Sequence, residues 1–89
     1  MAVITVEARA DDEYEVLVTD AGPATTHAVT LSPGAIDRLA PGVAAEALIE
    51  ASFRFLLDRE PKESILGRFD LEVIGRYFPD YAGRIGDYL

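Results

Sequence analysis

The sequence predicts an α+β fold: a three-stranded antiparallel meander covered by a long amphipathic helix and followed by short C-terminal helices. Three observations carry this. Before Ser32, apolar residues alternate with a period of two in three short segments. Between Val43 and Arg59 the period becomes that of an α-helix. Beyond Pro61, proline and glycine cut the chain into pieces that fit only brief helices.

The strands come first. In Val3–Ala8, Ile4, Val6 and Ala8 share a face; in Tyr14–Thr19, Tyr14, Val16 and Val18 do; in Thr25–Leu31, His27, Val29 and Leu31 do. Ala10 to Glu13 and Asp20 to Ala24 link them, both short enough for hairpins. The simplest strand order leaves Val3–Ala8 and Thr25–Leu31 as the edges. Ser32 followed by Pro33 reads as an N-cap and first helical residue of a short helix ending near Ala40. In the long helix, Glu46, Glu50, Arg54 and Asp58 form a polar stripe. Ala45, Leu48, Ile49, Phe53, Leu56 and Leu57 form the apolar face. Glu50 and Arg54 are a favourable i,i+4 pair. Pro61 ends this helix by disfavouring α conformation at Glu60. The spacing then predicts a helical turn or two over Pro61–Leu66, an Asp70-capped helix over Leu71–Phe78, and a short helix through Tyr81 and Ile85. A meander cannot bury its face unaided, so the long helix is expected to cover it in two layers.

Eighty-nine residues support one domain, with residues 1–32 as meander, 33–60 as helices and 61–89 as a short-helix tail. With no cysteine, disulfides, thiolate metal sites and a cysteine nucleophile are excluded, and a cytoplasmic protein is expected. The start lacks a signal-peptide pattern, and no apolar run reaches the length of a membrane span. The net charge of −8 is concentrated early: residues 1–53 hold nine carboxylates against Arg9 and Arg38. Such a chain is repelled by phosphate backbones, so no nucleic-acid partner is expected. A basic protein partner is compatible with the charge, as is a plain role in solubility.

Candidate chemistry is sparse. His27 is the sole histidine and lies on an apolar strand face. It cannot by itself make a zinc site, and catalysis would need a carboxylate or nucleophile brought to it by the fold. Asp11-Asp12-Glu13 lacks the alternating ligands and glycine of a calcium loop. Gly83-x-x-Gly86 is too short for a phosphate motif and follows no strand. Read as a helix-turn-helix, residues 61–78 offer a second helix with one arginine among apolar side chains, poorly suited to reading bases. No cofactor or metal is expected.

The tail carries the one suggestive pattern. Arg68, Arg76 and Arg84 recur every eight residues beside Tyr77, Tyr81 and Tyr88, and these residue types are enriched in interface hot spots. They form a candidate interaction surface. The alternative is that the tyrosines pack on the core while the arginines pair with Asp70, Glu72, Asp80 and Asp87. The run Arg59-Glu60-Pro61-Lys62-Glu63-Ser64-Ile65-Leu66, followed by Phe69-Asp70-Leu71 and by Val73 to Tyr81, resembles the C-terminal half of a family of short bacterial proteins of unassigned function. The resemblance extends to the order of elements and to the strand Thr25 to Val29. It implies a bacterial, cytoplasmic protein and brings no catalytic residue. The reading is therefore a non-enzymatic protein–protein interaction module or small accessory subunit, with a homodimer through the strand edges as one form of contact. The alternatives are a small enzyme or ligand-binding protein using His27 and nearby carboxylates, and an acidic antitoxin-like or nucleic-acid-mimic partner of a basic protein.

Overall fold

Three strands, β1 (Val3–Ala10), β2 (Glu13–Thr19) and β3 (Thr25–Thr30), form the antiparallel meander in a computed structural model that describes residues 2–89. The faces are those the alternation predicts. Val16 stands opposite both Ile4's neighbour Val6 and His27, and Val29 stands opposite Tyr14, all on the side that buries. Asp12 turns the first hairpin with φ 60°, a left-handed conformation that aspartate tolerates better than most residues. A bulge interrupts β1 between Ala8 and Ala10.

The sheet has a fourth strand. β4 (Arg68–Asp70) lies parallel to β3, pairing Ala28 with Arg68, Val29 with Phe69 and Thr30 with Asp70. The order is β1-β2-β3-β4, a mixed sheet rather than a three-stranded antiparallel one. β3 is thus internal and not an edge. Three residues are too few to show a period-two pattern, and the alternation exposed, buried, exposed acquires meaning only beside β3.

Between β3 and β4 run α1 (Pro33–Leu39) and α2 (Ala45–Leu57). Ser32 caps α1 as expected, its Oγ accepting from the Ala35 amide at 3.2 Å. α2 stops at Leu57, short of the expected Arg59, and the chain turns out through the Arg59 and Glu60 amides, both donating to the Leu56 carbonyl. Within Pro61–Leu66 the expected helical turn is a single 3₁₀ turn at Lys62–Ser64. Asp70 does cap the next piece, accepting from the Glu72 amide at 3.0 Å, but that piece is a 3₁₀ turn at Leu71–Val73 running into α3 (Ile74–Tyr77). α4 (Tyr81–Arg84) and a last turn at Ile85–Tyr88 follow.

The two-layer expectation needs correcting at α2. Residues 53 and 55 are separated by about 200° around a helix, so their side chains point to opposite sides. Both phenylalanines are nonetheless fully buried. Phe53 faces the sheet and meets the rings of His27 and Phe69 at centroid distances of 5.3 and 6.0 Å. Phe55 faces the tail and meets Phe78, Tyr81 and Tyr88 at 5.9, 5.3 and 5.7 Å, all edge-on. The helix therefore lies between the sheet and the C-terminal turns, and the short tail helices supply a covering layer of their own. Among the described residues, no helix is long and apolar enough to cross a membrane.

Candidate functional site

His27 is 2% exposed and spends both ring nitrogens inside the molecule. Nδ1–H donates to the Leu66 carbonyl at 2.7 Å, since a carbonyl can only accept. Nε2 lies 2.8 Å from Thr25 Oγ1 and accepts its hydroxyl proton in this tautomer. No nitrogen is left facing open space. The side chain fastens residue 66 to β3, and the next backbone bond, from the Ala28 amide to the Gly67 carbonyl at 2.8 Å, begins the β3–β4 pairing.

Lys62 does the same on the other side of the segment. Its side chain is buried, unusual for lysine. Nζ donates to the Ala21 carbonyl at 3.1 Å, in the β2–β3 link, and pairs with Glu63 at 3.0 Å. The hydrogen bond from Lys62 holds the Glu63 carboxyl below the usual carboxylate range, helped by a backbone hydrogen bond. Arg59 lies 3.5 Å above the Phe55 ring and donates to the Phe55 carbonyl, to Asp80 and to Tyr88 Oη. The motif from Arg59 to Leu66 is thus largely a set of fasteners between α2, the meander and the tail.

The six tail residues read as a surface are not all exposed. Tyr81 is 1% exposed, its hydroxyl 2.6 Å from Ser52 Oγ, which itself donates to the Leu48 carbonyl. Tyr81 presents no surface, and burial pushes its phenol up to about 12. Tyr88 packs on Phe55 and donates to Asp58 at 2.6 Å. Arg84 pairs with Asp87 at 2.8 Å. Arg68 and Arg76 are exposed, and neither has an ion pair among the described residues. Arg68 stands at the sheet edge, whereas Arg76 and Tyr77 stand on α3. Asp80 takes Arg59 and Glu72 takes Arg38, so these two acids are used by arginines outside the regular series, while Asp87 takes Arg84 from within it.

Tyr77, 68% exposed, borders an apolar groove. This groove of about 220 Å³ runs between the end of α2, residues 64–66 and α3. Buried Leu56, Ile65, Phe69 and Ile74 line it; exposed Leu66 and Tyr77 stand at its margin; Glu60 is its only charged lining residue. Leu66, 48% exposed, escaped the sequence reading, where its only signal was an apolar residue next to a glycine. A second hollow, about 430 Å³, lies along the solvent face of the sheet. Ala28 is small and leaves a dip between its register neighbours Glu15 and Arg68. Several of the polar groups there are already engaged: Arg9 with Glu15 and Glu7, Thr30 with Asp70. No group of three or more histidine, aspartate or glutamate side chains among the described residues could hold a metal ion. Comparison with protein-family models, curated proteins and solved structures finds no match to any of them.

Proposed function

We propose that the protein is a non-enzymatic module of a bacterial cell that docks a partner protein in the groove beside α3. The observation that carries this is the pairing of an apolar groove with two large exposed apolar residues, Leu66 and Tyr77, on its margin. Glu60 in the lining, in a chain of net charge −8, selects the partner's chemistry: an apolar anchor flanked by basic residues. His27 gives a catalytic reading no support, because both nitrogens are committed to Leu66 and Thr25.

Affinity capture from native lysate, run in parallel on three forms of the chain, tests this. Leu66→Asp is expected to lose the captured partner, while Leu17→Asp, an equally drastic change on the opposite sheet face, is expected to retain it. Raising salt should weaken the capture. A partner retained by Leu66→Asp and lost by Leu17→Asp overturns the groove as the docking face.

A further inference from the structure

We infer that β1 pairs with β1 of a second copy of the chain, antiparallel, about a twofold axis passing beside Thr5. The inference is independent of the groove, which lies at the opposite end of the sheet.

β1 is the terminal strand of the sheet and pairs only with β2. Alternate residues along it therefore direct their N–H and C=O groups outward, and no backbone bond from elsewhere in the described residues meets them. Proteins guard such edges with lysine, proline, shortness or a bulge. The other edge, β4, is three residues long and flanked by charge. β1 is eight residues long and has neither lysine nor proline, and its bulge bends only the end beyond Ala8. Val3–Ala8 remains an open template.

Three features name the occupant as a second copy. First, β1 carries Glu7 and Arg9 and is locally neutral within a chain of −8, so this edge has no charge that selects a basic partner. Second, the strand is self-complementary in one register. To keep core side chains on the core face, the axis must pass beside a residue and not between two. An axis at Glu7 sets two carboxylates opposite each other. An axis at Val6 leaves them diagonal and matches Ile4 with the small Ala8. An axis at Thr5 sets Ile4 opposite Val6 of the second copy, twice, and the two threonines opposite one another. Cross-strand β-branched and threonine pairs of this kind stabilise sheets. Third, Ile4 and Val6 lie at the margin of the core, Ile4 buried and Val6 only partly so, and this register extends that core across the axis.

The chain has no cysteine, so single cysteines can be introduced without background. Directly opposed residues come close enough for a disulfide after slight adjustment. Under mild oxidation, Thr5→Cys is expected to form a linked dimer faster and more completely than Glu7→Cys or the distant control Asp87→Cys. Thr5→Lys, which keeps the strand but opposes two ammonium groups, is expected to sediment as a monomer and to melt at one temperature whatever its concentration, where the native chain melts higher as concentration rises. Added salt should tighten the native dimer by screening repulsion between two −8 chains, the reverse of its effect on a basic partner. Linking of Thr5→Cys no faster than that of Asp87→Cys, or a native mass of 9.7 kDa persisting through the micromolar range, overturns the inference.

Discussion

Residues 3–30 reach their places by backbone pairing between neighbours in sequence, whereas residues 59–89 are held largely by side chains reaching distant parts of the chain. In the meander the longest registered pairing spans the two strands of a hairpin. In the tail, Leu66 is gripped by His27, Lys62 grips Ala21, and Tyr81 reaches Ser52. The difference teaches why the two regions look so unlike in sequence. A hairpin needs only alternation and a turn, which are local. A tail of short turns has little cooperative hydrogen bonding of its own and must borrow order from elements already built.

Phe53 is the test of whether the two regions share one stability. Its ring touches His27 of the meander and Phe69 of the tail, and it is fully buried. Phe53→Ala should cost about 3–5 kcal/mol, a large share of the stability of a small domain. Chemical denaturation should show both regions failing together. A near-neutral effect would mean that the sheet and tail do not meet through α2.

The fasteners come next in size. His27→Ala leaves the Leu66 carbonyl without its donor and a void beside Phe53, and should cost about 2–3 kcal/mol; Lys62→Met, which keeps the apolar stem, should cost about 1–2 kcal/mol. The distinguishing readout is local. Hydrogen exchange in His27→Ala should quicken first at Ala28, whose amide is bonded to Gly67, and later at the amides between β1 and β2. Simultaneous quickening of both sets would erase the distinction between a self-sufficient meander and a borrowed tail.

Tyr81→Phe removes one buried hydroxyl, while Ser52 keeps its bond to Leu48, so the loss at neutral pH should be about 1 kcal/mol. Its signature lies in alkali. Burial raises the phenol from 10.0 to about 12 in the folded chain, so the folded state holds the proton where the unfolded state releases it. That contribution is fully present below about pH 10 and is lost as pH climbs toward about 12. Native protein should therefore lose stability across this window more steeply than Tyr81→Phe does. Equal slopes would place the hydroxyl in water.

The same contrast explains what the sequence revealed. Period two placed β1, β2 and β3 and their buried faces, and period 3.6 placed α2 with the Glu50–Arg54 pair, now seen at 3.0 Å. The Ser32 and Asp70 caps were equally legible because a cap is a local event. β4 was not, since its alternation is three residues long and its meaning depends on β3, far back in the chain. Nor was the second buried side of α2, because Phe55 and Ser52 break no amphipathic pattern until the tail aromatics arrive over them. Of the candidate surface, Tyr77 is exposed, but the sequence pattern grouped it with Tyr81, which is core. Residue type marks an aromatic as an anchor without saying to which side of the surface it belongs.

The smallest effect expected comes from the most conspicuous ionic link between regions. Arg38 on α1 pairs with Glu72 in the turn after β4, joining the helical crossover to the tail. By its position this pair could pass for another fastener. Its environment says otherwise: the two side chains are 62% and 43% exposed, so water screens the attraction and ordering two long side chains offsets much of it. Exposed pairs of this kind contribute about 0–1 kcal/mol, against the larger cost of losing a hydrogen bond made by a buried charged side chain. Arg38→Met should therefore shift the denaturation midpoint only slightly, and the shift should vanish in high salt. Lys62→Met should keep most of its effect in the same salt, because the Lys62 side chain is buried and its Nζ donates to a neutral carbonyl, that of Ala21, whose attraction salt screens little. If Arg38→Met proves the more damaging of the two, surface charge and not buried side-chain contact orders the tail.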